Sequence, residues 1–135
     1  MSIARSGVYE EKVGGEFRRL VLRNGEIERF EEQYDLGIFE VWDQLFGRGE
    51  RGPQARHVRD LIALALVGGG MSDRAADELV ASLPPSENLV LRETAKRVLG
   101  VTFLPAVLDQ SKKKEAGSPA RAARRTRTTA PATKS

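Results

Sequence analysis

The segment from Gln54 to Val67 constrains the fold more than any other part of this 135-residue chain. Apolar residues recur along it at spacings of three and four, which predicts a helix with an apolar face. Its second half is apolar on nearly every side, because Ala63 and Leu64 widen that face. A helix of this kind cannot face water along its length, so we expect it at the centre of the core, with the other elements packed around it.

A β-hairpin is predicted at the start of the chain. Two strand-like runs, Val8–Val13 and Glu16–Arg23, flank Gly14-Gly15, which supplies the positive φ angles that a tight turn requires. In the second run Leu20 and Leu22 share one face, which must be covered. The opposite face of that run is formed by Arg19, Val21 and Arg23.

Helical spacing predicts four further helices around the central one. The first is expected to run from an N-cap at Asn24 to a stop at Leu36-Gly37, and the second from Ile38 to Phe46. Another is expected from a cap at Ser72 or Asp73 to Ser82, and the last from Ser86 or Asn88 to an end or bend at Gly100. We therefore predict an α+β fold that is mostly α: an N-terminal β-hairpin packed on a compact bundle of about five short helices. The folded domain is expected to cover residues 1–110.

Charge divides the chain into two unlike parts. Residues 111–135 contain eight Lys and Arg against one Glu, a net charge of +7, whereas the whole chain is +3, so residues 1–110 carry −4. The only hydrophobic residues in the basic part are alanines, so we predict a disordered tail. It is either a solvated tail without a ligand or an anion-binding arm. The residues of that arm would be Lys112, Lys113, Lys114, Arg121, Arg124, Arg125 and Arg127.

The residues needed for catalysis or metal binding are scarce, so we predict no enzyme, no metal and no cofactor. There is no cysteine, and the only histidine, His57, has no partner nearby in sequence and is expected to be exposed at the surface or partly covered. Gly68-Gly69-Gly70 lacks the preceding strand and the following Lys of a phosphate-binding loop, so it is interpreted as a helix C-cap and flexible hinge. No run is long enough to span a membrane, and no apolar signal core begins the chain, so a cytoplasmic location is expected.

Two surfaces could bind a partner: one lies on the second predicted helix, and the other is shared by the first and second helices. Phe39, Trp42 and Phe46 form an aromatic stripe at helical spacing, which is either core packing or a binding hot spot. Acidic residues collect on the first two helices and are interpreted as a solvated face, or alternatively as an acidic contact surface. The acidic residues are Glu26, Glu28, Glu31, Glu32, Asp35, Glu40 and Asp43.

The order of several short motifs resembles one family, the short tail proteins of gene transfer agents and related phages, which are encoded near the tape-measure protein and described as tail-assembly chaperones. The resemblance covers roughly residues 13 to 108 and rests on the order of the motifs. The matching motifs are Leu20-Val21-Leu22, Asn24-Gly25-Glu26-Ile27, Phe30-Glu31-Glu32, Leu36-Gly37-Ile38-Phe39-Glu40, Val58-Arg59-Asp60-Leu61-Ile62, Ala65-Leu66-Val67-Gly68-Gly69-Gly70 and Ser72-Asp73-Arg74-Ala75-Ala76 with Leu79-Val80.

The resemblance implies a non-enzymatic assembly factor of a gene transfer agent or prophage: a tail-assembly chaperone that coats the tape-measure protein, or a minor tail component. Its partner would be the tape-measure protein or another tail protein. A homo-oligomer and incorporation into a phage-like particle are both compatible with it. The alternative is a nucleic-acid-binding accessory protein that acts through the basic tail, whose affinity for DNA would fall steeply with salt.

Overall fold

The computed structural model describes residues 2–3 and 9–105 of the chain. It confirms the α+β, mostly α, fold: a short antiparallel sheet is followed by five helices. The elements are β1 (Ser2–Ile3), β2 (Tyr9–Val13), β3 (Glu16–Leu20), α1 (Asn24–Tyr34), α2 (Ile38–Leu45), α3 (Ala55–Gly68), α4 (Asp73–Ala81) and α5 (Asn88–Phe103), with a 3-10 turn at Pro85–Glu87 before α5. The predicted tail, residues 111–135, lies outside the described residues.

The predicted hairpin is confirmed and carries one additional strand. β2 and β3 pair from Tyr9 opposite Leu20 to Val13 opposite Glu16. Gly14 and Gly15 make the turn between them with φ angles of 67° and 93°, which side chains other than glycine rarely adopt. β1 extends the sheet on the other side of β2, giving the order β1-β2-β3. The sequence analysis did not predict this two-residue strand.

The second arm of the hairpin is shorter than predicted. β3 ends at Leu20, and the N–H of Val21 donates to the carbonyl oxygen of Ala65 on α3 at 3.0 Å instead of continuing the strand ladder. Val21 is buried, as are Leu20 and Leu22. The predictions that the strand reaches Arg23 and that Val21 lies on its outer face are therefore wrong, because the chain leaves the sheet to pack against α3.

α3 is the central helix, as its sequence indicates. It packs against β3, α1, α4 and α5. Every residue from Leu61 to Leu66 is buried, including Ala63 and Leu64, which lie off the main stripe. No helix within the described residues is long and apolar enough to cross a membrane.

Gly68, the last residue of α3, and Gly69 after it form a close-packed junction, so the predicted hinge is wrong for these two glycines. A Cβ on Gly68 would lie 1.8 Å from the carbonyl oxygen of Val21, and a Cβ on Gly69 would lie 2.1 Å from that of Arg19. Gly69 is the C-cap residue, but with φ of −82°; only Gly70 has a positive φ, 121°. Gly68 and Gly69 therefore allow the backbone of α3 to touch the end of the hairpin.

Two helix ends differ from their predicted positions. The N-cap of α1 is Arg23 and not Asn24: the carboxylate of Glu26 accepts hydrogen bonds from the Arg23 backbone N–H at 2.9 Å and from its guanidinium. This folds Glu26 inward, so it is buried instead of belonging to a solvated acidic face. α5 does not end at Gly100, which is buried inside the helix, and continues to Phe103.

The hairpin is also tied to the last helix. Arg97 on α5 donates from Nε to the hydroxyl of Tyr9 at 2.7 Å and from Nη2 to Oε2 of Glu11 at 3.0 Å. Tyr9 is almost fully buried, so these bonds satisfy a polar group that would otherwise be unpaired in the core. The strand β2 and the helix α5 are thereby joined although they are far apart in sequence.

Candidate protein-binding surface

The helix α2 carries more apolar surface than the core requires. Its core face consists of Ile38, Val41 and Leu45, which are all buried. Oε2 of Glu31 on α1 accepts a hydrogen bond from the Ile38 N–H at 2.8 Å and so satisfies one free donor at the start of the helix. A second apolar series at the same spacing, Phe39, Trp42 and Phe46, is offset by one residue, or about 100° around the helix.

This second series reaches the surface of the molecule. Phe39 is 68% exposed and Phe46 is 38% exposed, whereas Trp42 is half-buried and packs on the edge of the core. The rings of Trp42 and Phe46 lie 4.6 Å apart between centroids. The structure thus brings the three predicted residues together on one face, with Trp42 serving both as core packing and as surface.

The end of α5 completes the aromatic surface. Phe103 lies 5.4 Å from Phe39 and 5.6 Å from Trp42, measured between ring centroids. The ammonium group of Lys96 on α5 lies 5.4 Å from the centre of the Phe46 ring, within the range of a cation–π contact. We call Phe39, Trp42, Phe46 and Phe103 the aromatic patch.

Phe103 is the member of this patch that sequence reasoning did not assign to a site. The expected end or bend at Gly100 separated it from the preceding helix. The available signal was the helical spacing of Leu99 and Phe103, four residues apart, which places them on one side of a continuous helix. Leu104 follows immediately and is 45% exposed, so the apolar surface extends past the end of α5.

His57 is buried, contrary to the expectation of a surface position. Its ring makes edge contacts with Tyr34 at 4.5 Å and Phe30 at 6.0 Å between centroids. Burial, and then the positive charge of Arg56, lower the pKa of His57 below 6.5, although the Asp60 carboxylate acts in the opposite direction. The imidazole is therefore neutral at pH 7 and serves as part of the core.

A polar groove of about 460 Å³ between α1, α3 and α4 was not predicted. Several of its charged groups already have partners: Arg29 pairs with Asp73 at 3.0 Å, and Asp60 accepts from Gln33 at 3.0 Å and from the hydroxyl of Tyr34. Burial and the bond to Asp60 raise the pKa of Tyr34 to about 12, so the phenol stays protonated. This groove is a set of structural ion pairs and hydrogen bonds.

Within the described ranges, no group of three or more His, Asp or Glu side chains is placed to hold a metal ion. The proposed anion-binding residues, Lys112 to Lys114, Arg121, Arg124, Arg125 and Arg127, all lie beyond residue 105 and outside the described part of the chain. Of the predicted site residues, the structure therefore places only the aromatic ones.

Comparison with known proteins identifies the family to which the chain belongs. No curated protein and no solved structure matches the chain. Residues 6–104, which cover all the described elements except β1 and nearly three quarters of the chain, match the family described as "Phage tail tube protein, GTA-gp10". The chain therefore belongs to this family of phage and gene transfer agent tail proteins.

Proposed function

We propose that this protein is a non-enzymatic tail-assembly protein of a gene transfer agent or prophage, and that the aromatic patch binds the tape-measure protein or another protein of the tail. The observation that carries the proposal is the exposure of Phe39 on a cluster of four aromatic rings. Large aromatic residues are enriched among the residues that dominate protein–protein binding energies.

The chemistry of the patch fits a helical partner with an apolar stripe. Rings contributed by two helices offer apolar area but few hydrogen-bonding groups. The patch therefore suits the apolar side chains of a helical partner better than the backbone groups of an exposed strand edge. A tape-measure protein is long and largely helical, so many copies could bind along it. Each contact can then be weak while the whole array is strong, because neighbouring sites on one chain raise the effective concentration.

Two roles within a tail remain to be separated by experiment. A chaperone binds a different protein and stays small by itself, whereas a tube component assembles with further copies of its own chain. Sedimentation of the purified protein, alone and with the tape-measure protein from the same genome, distinguishes them. The chaperone role requires small particles alone and a mixed complex on addition; rings or tubes formed by the protein alone would favour the tube role.

The binding surface is tested with two matched substitutions. Phe39→Ser removes the most exposed ring of the patch, and Phe17→Ser removes a ring of similar exposure, 61%, on the hairpin. We expect Phe39→Ser to weaken binding to the tape-measure protein about 30-fold, equivalent to about 2 kcal/mol, as for other interface anchors. Phe17→Ser should leave the affinity within about twofold. Equal affinities for the two variants would contradict the assignment of the patch.

The alternative of nucleic-acid binding rests on the +7 charge of residues 111–135. It predicts a gel shift with full-length protein that weakens steeply as salt increases and is absent for residues 1–110. The folded part has a net charge of −4 and does not favour a second DNA-binding surface.

A further inference from the structure

An acidic cavity lies between α2, the loop that follows it and the start of α3. It has a volume of about 370 Å³ and is bounded by Leu36 in the connection before α2, by α2 itself, by the loop from Gly47 to Pro53 and by the start of α3. Three carboxylates line it, those of Glu40, Asp43 and Glu50, against a single guanidinium, that of Arg51. Its lining is thus net negative.

These three carboxylates have no cationic partner among the residues that the structure describes. The ion pairs found there involve other carboxylates, those of Glu11, Glu16, Glu26, Asp73, Glu78 and Glu93. Glu40 and Glu50 are exposed, and Asp43 is half-buried. Like charges that share one cavity repel each other, and a cation bound between them would relieve that repulsion.

Two further groups of the lining lack hydrogen-bond partners. His57 is 94% buried, and its Nδ1 has no partner within the described residues; the same holds for Oε1 of Gln44. The amide oxygen can only accept a hydrogen bond, and a neutral imidazole offers one accepting nitrogen. Buried polar atoms without partners are uncommon in folded proteins, so the Gln44 oxygen indicates a missing donor, and Nδ1 of His57, in the tautomer with its proton on Nε2, would accept from the same donor.

The requirements of this cavity are those of a primary ammonium group. Carboxylates supply negative charge, and the imidazole and amide supply acceptors for N–H donors, of which an ammonium has three. The side chains are not grouped so that three of them could hold a metal ion among the described residues. A lysine side chain, which is long and flexible, can enter such a cavity from a chain that passes outside it.

The chain carries three consecutive lysines within reach of the cavity. The end of α5 lies beside the start of α2, because the rings of Phe103 and Phe39 are 5.4 Å apart. Lys112 follows Pro105 by seven residues, which can span up to about 25 Å in extended form. α2 itself is only about 12 Å long. Glu40 and Asp43 on α2, and the cavity that they line, are therefore within reach of Lys112 to Lys114.

We propose that the basic C-terminal segment of this chain binds its own folded domain, with a lysine from Lys112–Lys114 in the cavity formed by Glu40, Asp43 and Glu50. The charges of the two parts are opposite, +7 for residues 111–135 and −4 for the rest. Being on one chain, they meet at an effective concentration in the millimolar range, so a weak contact is sufficient. The lysines are then less available to nucleic acid, and the segment passes close to the aromatic patch.

A carbodiimide that joins ammonium groups directly to carboxylates tests this contact in the full-length protein. Mass spectrometry should locate cross-links from Lys112, Lys113 or Lys114 to Glu40, Asp43 or Glu50. The pair of Lys96 and Glu93, whose charged atoms lie 3.6 Å apart, is the internal positive control. Glu78 on α4, which is exposed and lies outside the cavity lining, is the control for random reaction.

Two triple variants with equal loss of charge separate the lysines from the rest of the segment. Lys112→Gln, Lys113→Gln and Lys114→Gln together should abolish the cavity cross-links and shift the imidazole resonances of His57. Arg124→Gln, Arg125→Gln and Arg127→Gln together should retain both signals. Sodium chloride at 0.5 M should reduce the cross-links several-fold while the folded state is unchanged, because salt screens exposed charges.

Several outcomes would overturn the proposal. Cross-links spread over Glu78 and other exposed carboxylates as often as over the cavity would show that the contact is unspecific. Cross-links found only between two molecules, or absent until protein concentration is raised, would assign the lysines to a second copy. Unchanged His57 resonances in the lysine variant would exclude the cavity as the binding site. Equal affinity of DNA for the two triple variants would indicate that the tail binds outside the cavity.

Discussion

The ring of Phe103 at the end of α5 lies 5.4 Å from the ring of Phe39 at the start of α2. This contact joins two segments that are 64 residues apart in sequence into one surface. It exists because α5 runs through Gly100 without a break and carries Phe103 past the core. The exposed aromatic patch is thus a product of tertiary packing between α2 and α5.

The two apolar faces of α2 should respond differently to substitution. Leu45 is buried, so Leu45→Ala should lower the free energy of unfolding by about 2–5 kcal/mol. Phe39 is 68% exposed, so Phe39→Ser should change it by less than about 0.5 kcal/mol. Denaturant unfolding measures both values. A large loss for Phe39→Ser would mean that this ring contributes to the core and would remove the main argument for a binding surface.

The close approach of α3 to the hairpin predicts an unusually costly glycine substitution. Gly68→Ala would place a methyl group 1.8 Å from the carbonyl oxygen of Val21, which is backbone and cannot rotate away. We expect a loss of several kcal/mol or failure to fold. Gly25→Ala is the matched control, since a Cβ there meets nothing within 4 Å and its φ is not positive. The control should be neutral or slightly stabilising, because alanine favours helix. Similar effects of both substitutions would contradict the packing.

Local patterns were sufficient to predict the hairpin and the five helices but not the two-residue strand β1, and tertiary contacts decided which side chains are buried. The central position of α3 and the Gly14-Gly15 turn could be predicted from the sequence, because helical periodicity and the positive φ angles of a tight turn are properties of the local backbone. The burial of Glu26 was not, because it depends on the hydrogen bonds from Arg23. Gly100 was misinterpreted because an isolated glycine usually weakens a helix, whereas here it lies buried against the core.

Glu26 makes stability depend on acid pH. Hydrogen bonds from Arg23 hold the pKa of this carboxyl below its ordinary value of 4.5, although burial opposes them. The unfolded chain therefore binds a proton at higher pH than the folded one, so the stabilisation is present above about 4.5 and is lost as pH falls through the lower, folded value. Glu26→Gln should flatten that part of the curve of unfolding free energy against pH.

Glu28→Gln, an exposed position on the same helix, provides the comparison and should leave the acid slope unchanged. Guanidinium chloride would screen the charges involved, so urea is the suitable denaturant for the series. Equal slopes for the wild type and the Glu26→Gln variant between pH 5 and pH 3 would show that the Arg23 contact does not stabilise the folded state.

His57 should produce a second, separate pH dependence nearer neutrality. Burial and the nearby charge of Arg56 lower its pKa, so the folded state disfavours the protonated imidazole. The unfolded chain takes up this proton near pH 6.5, and stability should therefore begin to fall as pH decreases below that value, well before the Glu26 region is reached. The loss is complete once the folded imidazole is itself protonated.

Because the chain has only one histidine, an NMR titration of the imidazole assigns the pKa without ambiguity. His57→Gln should remove the slope between pH 7 and the folded pKa while the acid slope from Glu26 persists. A folded-state pKa at or above 6.5 in the wild type would contradict the buried, neutral histidine, and this measurement remains decisive even if the glutamine variant does not fold.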